Sequence, residues 1–151
     1  MLFTEPFLST YGSLSARARA LKERLPDVDY RHHPDVKLFL AVRSLATDTI
    51  PRDPADPAYR LHGDLAGFRR TKGRGLPPRY RLFWIFNEEA RVIILLYLND
   101  STSLRQAGGR RDPYAIFSAM VKRGEMGPDF QANYERWRRG QPPPPRGAGS
   151  A

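Results

Sequence analysis

The 151-residue sequence contains no cysteine. That removes disulfides, thiolate nucleophiles and cysteine-type zinc centres together. Histidine is scarce, with three residues. His32 and His33 sit side by side before Pro34 with no further ligands at metal-binding spacing, and His62 stands alone, as a general base or as a structural residue. No apolar run reaches the roughly 18 residues that a membrane span needs; the longest extends from Val92 to Leu98. The stretch MLFTEPFLST lacks a basic region followed by an apolar one, so no signal peptide is expected and the cytoplasm is the expected compartment. A phosphate loop ending in Gly-Lys-Ser/Thr and a nucleophile elbow are also missing.

What is present in excess is positive charge. Lys and Arg total 25 against 16 Asp and Glu, a formal net charge of +9, and the sequence pI is about 10.3. Residues 1–64 hold nine bases and nine acids, so the whole excess falls in residues 65–151. Such a balance attracts polyanions: nucleic acid, anionic lipid or an acidic protein. Of the 25 bases 21 are Arg, which suits planar bidentate phosphate contacts and is equally what a biased genome would produce.

Length and a mean hydropathy of −0.57 fit one soluble domain with a real core. Phe7, Tyr11, Leu14, Ala18, Leu21 and Leu25 recur at helical spacing, and Pro26 ends that helix. Asp29–Pro34 reads as a loop, and a second helix is predicted from about Asp35 to Thr49. Pro51, Pro54 and Pro57 should form a stiff connection that no helix crosses. The pattern then shortens to strands: Tyr59–Leu65, Gly67–Lys72, Arg79–Phe86 and Arg91–Leu98, with a hairpin turn at Asn87–Ala90. The unbroken apolar run in the last strand predicts cover on both faces. Asp112-Pro113 starts a helix, and residues 134–139 read as a docked terminal helix or as a basic arm. The expected order is two N-terminal helices, a small antiparallel sheet of about four strands and a C-terminal helix: α+β, one domain over residues 1–140. Residues 141–151, rich in proline and glycine, read as a disordered tail.

The densest chemistry lies between Phe68 and Arg81. That segment holds Arg69, Arg70, Lys72, Arg74, Arg79 and Arg81 and no acid. With Gly73–Pro78 as the loop, the simplest register pairs Lys72 with Arg79 and Arg70 with Arg81. Alternation then gathers those four cations on one face and aims Arg69 at the core side. An anion between them, phosphate above all, would relieve their repulsion; solvated edge charges that guard a strand are the plain alternative. Gly108-Gly109-Arg110-Arg111 precedes a helix start and is a second candidate phosphate site or an ordinary loop.

Arg79-Tyr-Arg-Leu-Phe83, Val92-Ile-Ile-Leu95, Leu98-Asn99-Asp100, Leu104-Arg105, Tyr114-x-x-Phe117-Ser118 and Lys122-Arg-Gly124 together resemble the YhaV family, toxins of bacterial type II toxin–antitoxin systems within the RelE-like group. The resemblance implies a twisted antiparallel sheet flanked by helices and endoribonucleolytic cleavage of mRNA at the ribosome, which inhibits translation. It further implies neutralisation by a PrlF-like antitoxin, and repression of the operator DNA by the complex. By the same resemblance Arg70, Lys72, Arg81, Arg105 and Tyr114 are the candidate catalytic residues. Arg69, Arg74, Arg79, Arg110 and Arg111 are candidate RNA contacts. The sequence departs from the family in a longer hairpin loop containing Pro77-Pro78.

No metal or cofactor is required by this chemistry. A 2′-hydroxyl can attack the adjacent phosphorus if the site aligns it, neutralises the phosphoryl oxygens and protonates the leaving oxygen. Arg70 and Arg81 suit the charge, Lys72 the proton and Tyr114 a stacked base. The competing reading is a protein that binds nucleic acid through the same cations without cutting, as an RNA binder or a DNA-binding co-repressor. A basic face that docks an acidic protein is a third.

Overall fold

The computed structural model describes residues 1–99 and 112–141. A short strand, β1 (Leu2–Phe3), leads into α1 (Glu5–Arg24), whose N-cap Thr4 accepts from the Phe7 N–H and whose buried face is Phe7, Leu14 and Ala18. The helix ends where the sequence predicts, just before Pro26.

The predicted loop at Asp29–Pro34 is replaced by a short helix, α2 (Asp27–His32), which buries no residue. Its Val28 is 68% exposed, so no apolar period announces it. Asp27 and Asp29 at its start and Arg31 and His32 at its end match the helix dipole instead. Next comes α3 (Pro34–Ser44), burying Val36, Leu38 and Val42.

The helical path then widens into a π turn at Leu45–Thr49 and continues as α4 (Ile50–Arg52). The helix thus includes Pro51 but stops at Arg52, before Pro54 and Pro57, so no helix crosses the three-proline connection. A proline ring clashes with the carbonyl four residues back in an α-helix, and the wider turn shifts that carbonyl away.

The strand expected at Tyr59–Leu65 does not form. Two 3-10 turns, Pro57–Tyr59 and Gly63–Leu65, take its place, joined to the sheet by a single bridge from Arg60 to Arg69. Tyr59, Leu61 and Leu65 are all buried, which mimics strand alternation, but Gly63 at φ +65° turns the chain. Three true strands follow: β2 (Arg69–Thr71), β3 (Leu82–Asn87) and β4 (Val92–Leu98).

The described sheet runs β1-β4-β3-β2. β2, β3 and β4 are antiparallel, whereas β1 lies parallel to β4. The sheet is therefore mixed, and its parallel edge strand is too short to have a sequence period.

As expected, β4 is covered on both faces. One core packs Trp84, Leu82 and Leu95 against Phe7, Leu14, Val42 and Leu45 from α1 and the α3–π segment. The other packs Phe83, Ile85, Ile94 and Leu96 against Phe117 and Met120 of α5 (Pro113–Lys122). A bulge opposite the Phe83–Trp84 step places an extra residue, Leu96, in β4. Leu96 and Tyr97 both join the second core in consequence. The Leu96 carbonyl accepts from the Thr4 hydroxyl at 2.7 Å.

Asp112 caps α5 as predicted, its Oδ1 accepting from the Tyr114 N–H at 2.9 Å. A last helix, α6 (Phe130–Arg139), is docked: Asn133 is buried and bonds both polar groups of Gly127, and Tyr134 stacks on Phe130 at 6.0 Å. The described residues thus have more helices at the N-terminal end than the sequence suggested, the docked-helix reading holds at the C-terminal end, and the class is α+β.

Candidate active site

The register of the cationic hairpin is two residues away from the simplest expectation. Arg70 pairs with Phe83 and Thr71 with Leu82, so the connection is longer than Gly73–Pro78. Three physical features wind it. Gly73 and Gly75 take left-handed backbone, as do Arg74 and Arg79 at φ +52° and +75°. Leu76 is buried and anchors the loop in the first core. Pro77 and Pro78 contribute no N–H to a ladder.

A slip of two residues preserves parity, so the assignment of faces survives the change of partners. Thr71 and Arg69 point toward Trp84: the Trp84 Nε1–H donates to the Thr71 hydroxyl at 3.1 Å, and the Arg69 guanidinium lies 5.9 Å from the Trp84 ring centre and 5.6 Å from that of Phe86. Arg70 points to the opposite face, toward α5. Arg81, one residue before β3, shares parity with Phe83; Lys72, one residue after β2, shares parity with Arg70 and is exposed. Arg79 pairs with no cation across the strands. Its left-handed backbone breaks the alternation, and its exposed side chain is not fixed to the shared face.

Arg70 and Tyr114 meet directly. The Arg70 Nη1 donates to the Tyr114 hydroxyl at 2.8 Å, and the guanidinium carbon sits 5.7 Å from the Tyr114 ring centre. Beneath them is an aromatic floor. Tyr114 packs edge-on against Phe83 at 5.6 Å, and Phe83 stacks on Phe117 at 4.4 Å. Tyr97, delivered by the bulge, stacks on Phe83 at 6.2 Å. Arg81 folds its Nη1 back onto the Tyr80 carbonyl at 2.8 Å. The Nε groups of Arg70 and Arg81 are buried without a hydrogen-bond partner, a state that proteins avoid outside strained or functional sites.

The remaining cations are engaged elsewhere. Arg74 donates to Asp56 at 2.8 Å and to the Tyr59 hydroxyl at 2.6 Å. Its hydrogen bond to Asp56 holds the guanidinium above its usual pKa and, with the Ala58 N–H, holds the Asp56 carboxyl below the usual carboxylate range. Burial raises the Tyr59 phenol against the pull of Arg74. Arg69 reaches Glu88 at 3.6 Å; burial, followed by the charge of Arg60, lowers its pKa. Both acids come from outside the segment, so the hairpin is less bare of counter-charge than its own sequence suggests. Arg105, Arg110 and Arg111 lie outside the described residues. His62 is exposed.

Sequence reasoning gave Asn99 a place in the family motif but no role in the site, although it is buried at the end of an apolar strand. Its Oδ1 accepts from the Arg81 N–H at 2.7 Å, and its Nδ2 donates to the Arg79 carbonyl at 2.8 Å. A polar residue closing an apolar run was the available signal.

Comparison with known proteins identifies the family. A family model described as a toxin with endonuclease activity, of a toxin–antitoxin system, matches residues 1–137. The toxin YhaV of Escherichia coli O6:H1 is 36% identical over 139 residues, covering 87% of each chain. The ribonuclease toxin YhaV of Escherichia coli K12 is 36% identical over 138 residues, covering 86% of each. Among solved structures, a mutant of the Escherichia coli toxin RelE bound to an antitoxin RelBc peptide aligns with a TM-score of 0.34 at 16% identity, over 73% of this chain and 93% of that one. With the family model spanning nearly all of the described fold, the chain belongs to the YhaV family of toxin–antitoxin endonuclease toxins.

Proposed function

We propose that this toxin is an endoribonuclease that cuts mRNA at the ribosome by attack of a 2′-hydroxyl on the neighbouring phosphorus, and so stops translation. The observation that carries this reading is the Arg70–Tyr114 pair, set on an aromatic floor whose Phe83 lies two residues after Arg81. The attack forms the O2′–P bond, with the 2′-hydroxyl proton passing to solvent, and breaks the P–O5′ bond, whose oxygen takes up a proton. It leaves a 2′,3′-cyclic phosphate on one fragment and a 5′-hydroxyl on the other. Arg70 and Arg81 neutralise charge that grows on the non-bridging oxygens, the role in which fixed donors contribute most. Lys72, exposed two residues beyond Arg70, serves proton transfer to the leaving oxygen. Tyr114 holds Arg70 through its hydroxyl and offers its ring to a base. Exposed Arg79 is a further phosphate contact, whereas Arg69 and Arg74 are already committed to Glu88 and Asp56 and contribute to RNA binding mainly through the field of the face.

Membership in a toxin–antitoxin family means that an antitoxin is the partner. A PrlF-like antitoxin, binding of operator DNA by the joint complex and residence in the cytoplasm complete the proposal. Among the described residues no helix is long and apolar enough to cross a membrane.

The test is induction of the chain alone in bacteria, with new mRNA 5′ ends mapped against the Arg70→Ala and Arg81→Ala variants. New ends carrying 5′-hydroxyl, absent from both variants although each still folds and binds antitoxin, are expected. Near-normal cutting by both variants would overturn the assignment. Nucleic-acid binding without cleavage would instead favour a non-catalytic protein.

A further inference from the structure

Asn99 follows the last residue of β4 and is 1% exposed. A buried carboxamide demands partners for both its ends, and here both partners belong to the strand entrance that carries Arg81. The Oδ1 accepts from the Arg81 N–H and the Nδ2 donates to the Arg79 carbonyl. The two bonds bracket Tyr80 and fasten residues 79–81 to the end of β4.

Two further facts make this clamp more than packing. Arg79 is held at φ +75°, a conformation that a side chain other than glycine rarely adopts unless its surroundings impose it. The Arg81 guanidinium is tied to the Tyr80 carbonyl at 2.8 Å, the peptide that Asn99 brackets. The direction of the guanidinium is therefore set by a peptide whose own position is set by Asn99.

We propose that Asn99 is the positioning residue for Arg81: it holds the 79–81 backbone so that Arg81 meets the scissile phosphate. The proposal rests on the reading that Arg81 stabilises charge at that phosphate. Asn99→Asp is nearly isosteric, keeps the acceptor for the Arg81 N–H and replaces the donor to the Arg79 carbonyl by a repelling oxygen. Asn99→Ala removes both. A misplacement of about 1 Å at a reacting centre costs on the order of 100-fold in rate.

The experiment is single-turnover cleavage of mRNA on programmed ribosomes, measured for wild type, Asn99→Asp, Asn99→Ala, Arg81→Ala and the Asn99→Asp/Arg81→Ala double variant, alongside thermal unfolding of each. Both Asn99 variants should lose about 100-fold in cleavage rate while half-saturation stays within about threefold and unfolding remains cooperative. In the Arg81→Ala background Asn99→Asp should cost almost nothing more, because its effect runs through Arg81. Should Asn99→Ala fail to fold, Asn99→Asp carries the cycle. Multiplicative losses in the double variant, or normal cleavage by Asn99→Asp, overturn the proposal. Normal cleavage by Arg81→Ala overturns the underlying reading of Arg81 instead.

Discussion

Thr71 lies between two candidate catalytic residues and faces away from both. Its hydroxyl accepts from the Trp84 Nε1–H at 3.1 Å, with Thr71 1% and Trp84 0% exposed. Thr71→Val keeps the shape and the strand preference but removes the acceptor, leaving an indole N–H without a partner in a dry core. An orphaned buried donor costs about 1–3 kcal/mol. Exchanging a hydroxyl for a methyl in apolar surroundings returns about 0.8 kcal/mol. The balance is a destabilisation of about 0.2–2.2 kcal/mol. At roughly 2–4 °C per kcal/mol for a chain of this size, the melting temperature should fall, by up to about 9 °C. Calorimetry or thermal circular dichroism on wild type and variant reads it directly. The sign is diagnostic: if the hydrogen bond contributed nothing, the added methyl would stabilise, and an unchanged or higher melting temperature refutes the reasoning. Cleavage well below the transition should stay near wild type, since Arg70 and Lys72 leave β2 on its other side.

Tyr114→Phe removes the hydroxyl that accepts from Arg70 but retains the ring on Phe83; a hydrogen bond from a charged group contributes about 1.5–3 kcal/mol, so cleavage should fall about 10–100-fold with little change in melting, and an unchanged rate would detach Arg70 from the chemistry. Gly127→Ala would bring a Cβ to 2.9 Å from both the Ala132 Cβ and the Asn133 nitrogen; overpacking of this kind costs about 1–3 kcal/mol, and protection of α6 amides in hydrogen exchange should drop. Asp56 has a carboxyl pKa held below its unfolded value, chiefly by the hydrogen bond from Arg74. Its contribution to stability is therefore complete above an unfolded pKa of about 3.9 and is lost as pH falls through the lower folded value. Wild type should lose more stability between pH 5 and 2 than Asp56→Asn does, as acid-unfolding curves will show.

The long elements with a clear period were legible from residues alone. Phe7, Leu14 and Ala18 mark α1, the unbroken run from Val92 marks a strand buried on both faces, and Asp112-Pro113 marks the start of α5. The elements that went unread have no period to read: α2 buries nothing and β1 is two residues long. For residues 134–139 the sequence left a docked helix and a basic arm open, and the buried Asn133 of α6 decides for the helix. Tyr59, Leu61 and Leu65 misled because buried residues in consecutive tight turns alternate like a strand. In the site, the shared face of Arg70 and Arg81 was accessible because parity survives a two-residue slip. The slip itself was not, because burial of Leu76 and the left-handed Arg79 depend on tertiary surroundings. Neither the bulge at Leu96 nor the commitment of Arg74 to Asp56 leaves a trace in local sequence.

The parallel pairing of β1 with β4 has a consequence for synthesis. Leu2 and Phe3 lie beside Ile94 and Leu95, and Thr4 bonds a carbonyl 92 positions later in the chain. At about 5–20 residues per second, these residues wait roughly 5–20 seconds for their partners to be made. Further delay follows before β4 clears the ribosome. The α1 and α3 helices can pair meanwhile through contacts local in sequence, whereas the sheet that carries Arg70 and Arg81 closes only late in translation. A chain abandoned before β4 would hold the helices and the cationic strand yet lack the surface on which they become a site.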